Sequence, residues 1–222
     1  MTIHVSHPLR QACPGFVGVA VLATLRNTAY SAPLWAEIDR LTEDCRRRLT
    51  PDTLKTLPSI QATREAYKAL GKDPSRYRPS GEALVRRVLQ GKPLYRINTA
   101  VDLINLASMA TGYSIGGFDA DRIQGERLIL GVGRAEEPYE GIGRGRINVE
   151  GLPIYRDTLG GIGTPTTDHE RTKLSLHTTR LLAIINAYDG RRDEALQCAR
   201  FIQRLLRDYA GSDGGTILNF AN

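Results

Sequence analysis

Asn98, Asp102 and Asn105 are three polar residues in a segment otherwise built from Val101, Leu103, Ile104, Leu106 and Met109. Their i, i+4, i+7 spacing puts all three on one face of a helix. A row of amides and a carboxylate on so apolar a helix must find hydrogen-bond partners or it costs stability. The row marks either a structural polar network or a binding site. Asp119 and Asp121 follow Gly116-Gly117-Phe118. Alternate residues of an extended segment point to one side, so this pair suits acid–base chemistry; the same residue type also closes turns. Gly160-Gly161 permit close backbone approach to a ligand and free N–H groups for an oxyanion, or else form a tight turn. Gly141-Ile142-Gly143-Arg144-Gly145-Arg146 has the composition of a loop, and its two arginines suit a phosphate backbone. Thr178 and Thr179 add hydroxyls after His177.

Other chemistries lack their residues. The four histidines form no H-E-x-x-H motif and no i, i+4 pair, so no metal site is expected. Cys13, Cys45 and Cys198 are odd in number and include no C-x-x-C, which argues against a zinc ribbon or a disulfide framework. Without G-x-S-x-G or a P-loop there is no support for a serine hydrolase or an NTPase. No cofactor is expected. Reduced thiols point to a cytoplasmic protein. The N-terminus does not read as a signal peptide, and the apolar run over residues 16–25 is too short to span a bilayer.

The 222 residues suit one sizeable domain. Residues 2–5 alternate like an edge strand, and 16–22 read as a buried strand. Helices are expected over 33–49, 60–70, 80–90 and 98–111, the third with Ser80 as N-cap and Glu82 in its first turn. Gly71, Gly91 and Gly112 end three of them. Short strands are expected over 115–118, 128–132, 146–149 and 154–156. Residues 173–177 read as another strand, and 176–186 can also be read as helix. An amphipathic helix over 193–209 stops at Gly211. Helices first, strands in the third quarter and a closing helix make an α+β pattern.

The net charge is +6. It is carried by clusters: Arg46, Arg47 and Arg48; Arg86 and Arg87; Arg144 and Arg146; Arg191 and Arg192. Such a surface favours phosphate-bearing partners, or is a solvated basic face.

Two ordered segments carry a resemblance. Tyr95-Arg96-Ile97-Asn98-Thr99-Ala100-Val101-Asp102-Leu103-Ile104-Asn105 is followed by Thr111-Gly112-Tyr113-Ser114-Ile115-Gly116-Gly117-Phe118-Asp119. Together they resemble the B3/B4 domain of the phenylalanyl-tRNA synthetase beta subunit, and more closely the free-standing proteins built on it. The approach Gly71-Lys72-Asp73-Pro74-Ser75-Arg76-Tyr77-Arg78-Pro79-Ser80 with Glu82, then Tyr155-Arg156-Asp157 and Thr178-Thr179, fit the same pattern. The domain resemblance spans about residues 60–190. It leaves 1–59 as an N-terminal strand and helix and 191–222 as a C-terminal helix and tail; the free-standing type would cover nearly the whole chain.

The resemblance implies a central β-sheet flanked by helices and a tRNA-editing module that hydrolyses a wrongly attached aminoacyl ester. It implies a pocket near Asn105, the turn at Asp119 and Gly160-Gly161. Gly116 stands where the synthetase has a histidine, and no Glu occurs near Ile184-Ile185-Asn186 to match its pocket glutamate. The expected catalytic set is therefore Asn105 with Asp102 or Asp119. Asn98, Gly116, Gly160, Gly161 and Thr178 are expected at the substrate, and Arg86, Arg87, Arg144 and Arg146 at RNA. Two functions follow: trans-acting hydrolysis of a mischarged aminoacyl-tRNA, or a non-catalytic module binding tRNA or an amino-acid-like ligand. Nothing in these residues supplies the large catalytic domain of a ligase, so ligase activity by this chain on its own is not expected, nor is a membrane partner.

Overall fold

The longest apolar run of the sequence becomes the middle of the molecule. In a computed structural model that describes residues 1–221, the chain begins with β1 (Thr2–Val5), α1 (His7–Ala12) and β2 (Val17–Thr24). A helical stretch follows: α2 (Ala32–Arg48), α3 (Pro51–Lys55), α4 (Pro58–Ala69), α5 (Ser80–Leu89) and α6 (Thr99–Thr111). Strands dominate next, as β3 (Ser114–Asp119), β4 (Arg127–Val132), β5 (Glu140–Gly141), β6 (Gly145–Arg146), β7 (Pro153–Arg156), β8 (Gly161–Gly163) and β9 (Arg180–Ala187). The chain closes with α7 (Arg192–Tyr209) and β10 (Thr216–Ala221). The α+β reading holds, and among the described residues no helix is long and apolar enough to cross a membrane.

Two four-stranded sheets form, ordered β10-β2-β9-β3 and β1-β4-β7-β8. In the first sheet every neighbouring pair is antiparallel. Alternation along β2 explains the layering. Val17, Val19, Val21 and Ala23 face one way, into a core shared with Leu34 and Ile38 of α2, Leu103 and Leu106 of α6, and Ile202 and Leu205 of α7. Ala20 faces the other way, with Leu182 and Ile184, against Leu128, Leu130 and Tyr155 of the second sheet. The result is three layers: helices, central sheet, second sheet.

β9 is buried on both faces, which is why its sequence lacks an alternating pattern. Residues 180–187 are strand throughout, so the helical alternative over 176–186 is not realised. Residues 173–177 contribute only an isolated bridge, between Lys173 and Phe118. The expected strand over 146–149 shrinks to the two-residue β6, paired with β5. Ser80 is the first residue of α5, after Pro79 as N-cap, rather than the cap itself. α7 buries Ala195, Cys198, Ala199, Ile202, Leu205 and Leu206, a helical stripe, and carries Asp193 and Glu194 at its positive end.

Candidate functional site

A cavity of about 400 Å³ opens between α6, the outer edge of β3 and the segment 164–174. Its walls are mainly apolar, from Ile97, Val101, Ile104, Ile115 and Leu174. Asn105 and Ser108 of α6, Ser80 of α5, Thr164, Thr167, Asp168 and Lys173 supply the polar groups. Apolar walls with a few convergent polar groups are the usual make-up of a small-ligand site.

α6 reaches this position because it packs tightly on β3. Gly117 permits the approach: a Cβ there would lie 2.5 Å from Ile104 Cδ1. Gly112, at φ +75°, turns the chain back from α6 into β3. The polar row of α6 then separates into three roles. Asn98 is the N-cap, accepting from the Val101 N–H at 3.0 Å. Asp102 is 1% exposed. It accepts from Trp35 Nε1–H at 2.7 Å and from the Ile97 N–H at 3.2 Å, so it pins α6 to α2 and to the strand-like approach. Burial raises its carboxyl above the usual range, against the pull of those two donors. Asn105 alone enters the cavity, and its amide has no hydrogen-bond partner among the described residues.

Asp168 was not foreseen and faces the same space. Its Oδ2 accepts from the Gly117 N–H at 3.0 Å, on the open edge of β3. Gly116 and Gly163 leave room for it; a Cβ at either would stand 3.3 Å or 3.0 Å from Asp168 Oδ1. Burial among these backbones, only partly offset by the Gly117 donor, pushes its carboxyl up to about 7. The turn before it is braced. Thr164 Oγ1 accepts from the Thr166 and Thr167 N–H groups, Tyr139 OH donates to Thr167 O at 2.7 Å, and the Ser80 N–H donates to Pro165 O at 2.8 Å. Thr166 Oγ1 is shared between Tyr67 OH and Tyr77 O. The only sequence signal was a run of small hydroxyl residues ending in Asp-His just after the glycine cluster.

The approach over 71–82 acts as a clamp around this turn. Lys72 Nζ donates to Glu150 O and lies 4.1 Å above the Tyr77 ring. Glu82, fully buried, meets Arg86 at 2.7 Å, Arg64 at 3.0 Å and Arg78 at 3.7 Å. Opposite α6, the β5–β6 hairpin hangs Ile142 over the cavity. It is tethered by the Gly143 N–H to Glu170 Oε1 at 3.1 Å, and Glu170 also accepts from Lys173.

The remaining expected residues lie elsewhere. Asp119 caps the turn Ala120–Arg122 and accepts from Thr178 Oγ1 at 2.8 Å. Both are buried by that pairing, outside the cavity. Gly160, at φ +142°, donates its N–H to Asp157 Oδ1 at 3.1 Å, which leaves that group unavailable to an oxyanion. Gly161 packs under Ile154 and Tyr139, where a Cβ would meet either at 2.8 Å. Gly116 backs Asp168 without lining the cavity. Arg86 is engaged by Glu82, and Arg87 donates to Pro93 O at 2.6 Å. Arg144 and Arg146 are exposed on the hairpin and make no ion pair among the described residues. Among those residues no cluster of three or more His, Cys, Asp or Glu is arranged to hold a metal ion.

The three-layer α+β fold encloses this apolar-walled cavity, and the comparisons place the chain in a family. The family model of the B3/4 domain matches residues 62–207, so the chain belongs to the B3/4 domain family. Among solved structures it is similar to an N-terminal fragment of the phenylalanyl-tRNA synthetase beta-subunit from Pyrococcus horikoshii, with a TM-score of 0.50 and 13% identity. That alignment covers 97% of this chain and 50% of the fragment, so the chain spans about half the length of that fragment. At this identity the likeness is one of fold. A search of curated proteins gives no match.

Proposed function

We propose that the cavity receives the aminoacyl end of a mischarged tRNA and hydrolyses its ester in trans. The observation that carries this reading is Asp168 facing Asn105 across an apolar-walled cavity of about 400 Å³. The B3/4 family and the likeness to a tRNA synthetase fragment support tRNA as the partner. Asp168, rather than Asp102 or Asp119, is the base in this proposal. A carboxyl that titrates near neutrality is matched to taking a proton from water at pH 7.

Water attacks the ester carbonyl as Asp168 removes its proton. The Asn105 amide and the Lys173 ammonium donate to the oxygen that becomes negative in the tetrahedral intermediate. The carbon–oxygen bond to the ribose then breaks. Asp168 returns the proton to the departing ribose oxygen, releasing free amino acid and tRNA. An aminoacyl ester is already activated, so orientation and electrostatics suffice for much of the rate. The buried, unpaired thiols of Cys13, Cys45 and Cys198 support a reducing, cytoplasmic setting.

Ligand binding without hydrolysis is favoured by one observation, the commitment of the Gly160 N–H to Asp157, which removes a backbone oxyanion donor. A panel of mischarged tRNAs separates the readings. Hydrolysis requires at least one tRNA to lose its aminoacyl group faster than it does without protein. Binding without any such loss would leave only the second reading.

A further inference from the structure

Of the eight large apolar side chains exposed among the described residues, two line this cavity and two more lie close to the chain segment that carries one of them. Ile97 (54% exposed) and Ile142 (40%) line the cavity. Tyr95 (65%) is two residues from Ile97, and Tyr30 (48%) lies beside Arg96. A cluster of exposed apolar side chains on an otherwise charged chain marks an interaction surface.

Here each aromatic ring is paired with a cation. The Arg87 guanidinium sits 3.9 Å above the Tyr95 ring. Arg96 sits 4.8 Å from the Trp35 ring and 5.3 Å from that of Tyr30. Neither Arg87 nor Arg96 makes an ion pair among the described residues; Arg87 donates to Pro93 O, and Arg96 lies in the field of the buried Asp102. The shelf is also held still. The Thr99 N–H donates to Thr28 O at 2.8 Å, the Thr28 and Thr99 hydroxyls lie 2.6 Å apart, and the Ala100 N–H donates to Asn27 Oδ1 at 3.0 Å. A rigid surface loses little entropy when a ligand orders against it.

We infer that Tyr30, Tyr95 and Arg96 form a stacking platform for unpaired nucleotides that lead an RNA end into the cavity. This inference rests on the proposal that an RNA end reaches the pocket. Aromatic rings with interleaved arginines bind single strands because every base has a π-face and every linkage a negative charge. Beside the Arg87 guanidinium, Tyr95 remains 65% exposed, which leaves ring surface for a base. A protein partner would also use apolar side chains, but it would not call for exposed tyrosine rings each set beside an arginine that makes no ion pair among the described residues.

The test uses the full chain and a fluorescein-labelled ten-nucleotide single-stranded RNA without an amino acid, followed by anisotropy at low salt. Tyr95→Ala and Tyr30→Ala should each weaken binding by about 5- to 150-fold. Arg96→Gln should weaken it and lower its salt dependence. The control Arg47→Gln, on a 74% exposed side chain of α2, should leave it unchanged. Quenching of Trp35, the only tryptophan, should accompany binding. If the oligonucleotide binds and the tyrosine variants bind it equally well, the platform is refuted while RNA binding stands. If it does not bind although an aminoacyl-tRNA is hydrolysed, the platform is refuted and a protein partner for this face becomes the better reading. If the variants lose oligonucleotide binding while no tRNA is deacylated, the platform stands and the hydrolase proposal fails.

Discussion

Replacing Asp168 by Asn keeps the shape and the acceptor for the Gly117 N–H but removes a charge from a crowded site. The carboxyl moves from an ordinary 3.8 to about 7 on folding. At about 1.4 kcal/mol for each tenfold change in proton affinity, the ionised form costs up to about 4 kcal/mol in the folded state. Between pH 4 and 7 the folded protein holds a proton that the unfolded chain has released. Stability from this group therefore falls as pH rises through that window and is level above it. The variant has no such dependence. Urea midpoints of both proteins at pH 4.5 and pH 8 should show Asp168→Asn gaining on the wild type by up to about 3 kcal/mol at the higher pH. In hydrolysis, wild-type kcat/KM corrected for spontaneous loss should rise with pH, half-maximal near 7 and level above it, while the variant falls about 10²–10⁴-fold and loses that rise. A stability difference that does not change with pH, or a wild-type pH profile retained by the variant, would refute the reasoning.

Other replacements separate scaffold from chemistry. Asp102→Ala should orphan the Trp35 and Ile97 donors and destabilise by about 1–3 kcal/mol per lost partner, seen as a lower Tm, whereas Asn105→Ala should leave Tm within a degree or two and lower deacylation. Glu82→Ala should strand Arg64, Arg78 and Arg86 around a vacated buried site and cost about 3–5 kcal/mol by urea unfolding. Arg144→Gln and Arg146→Gln should each reduce the slope of log affinity for tRNA against log salt by roughly 0.7–0.9, with little effect on Tm.

What could be read from the chain follows from how each residue is used. Amphipathic α4, α5 and α7 were legible because solvent on one side enforces a pattern, and α6, buried on most sides, because Gly112 ends it. β9 was not, because Leu181, Leu182, Ala183, Ile184 and Ile185 are buried alike and no alternation survives between two cores. α1 and β8 are too short to carry a period, and β10 is defined by its pairing with β2 rather than by its own residues. The i, i+4, i+7 row included Asn105, which lines the cavity. It could not tell a cap, Asn98, from a buried brace, Asp102, since that depends on Trp35 arriving from α2. Asp168 was invisible for a related reason: its environment is made by glycines of β3 and β8 that are distant in sequence. Gly160 and Gly161 suggested an oxyanion site, yet Asp157 and the packing of Tyr139 use them locally.

The central claim is that Asp168 and Asn105 hydrolyse an aminoacyl ester bound between them. Single-turnover deacylation, with protein in excess over each mischarged tRNA, tests it most directly. At least one tRNA should be deacylated well above its spontaneous rate, with that rate lost in both Asp168→Asn and Asn105→Ala while tRNA affinity and folding persist. No acceleration with any tRNA, or full acceleration by Asp168→Asn, would contradict the account.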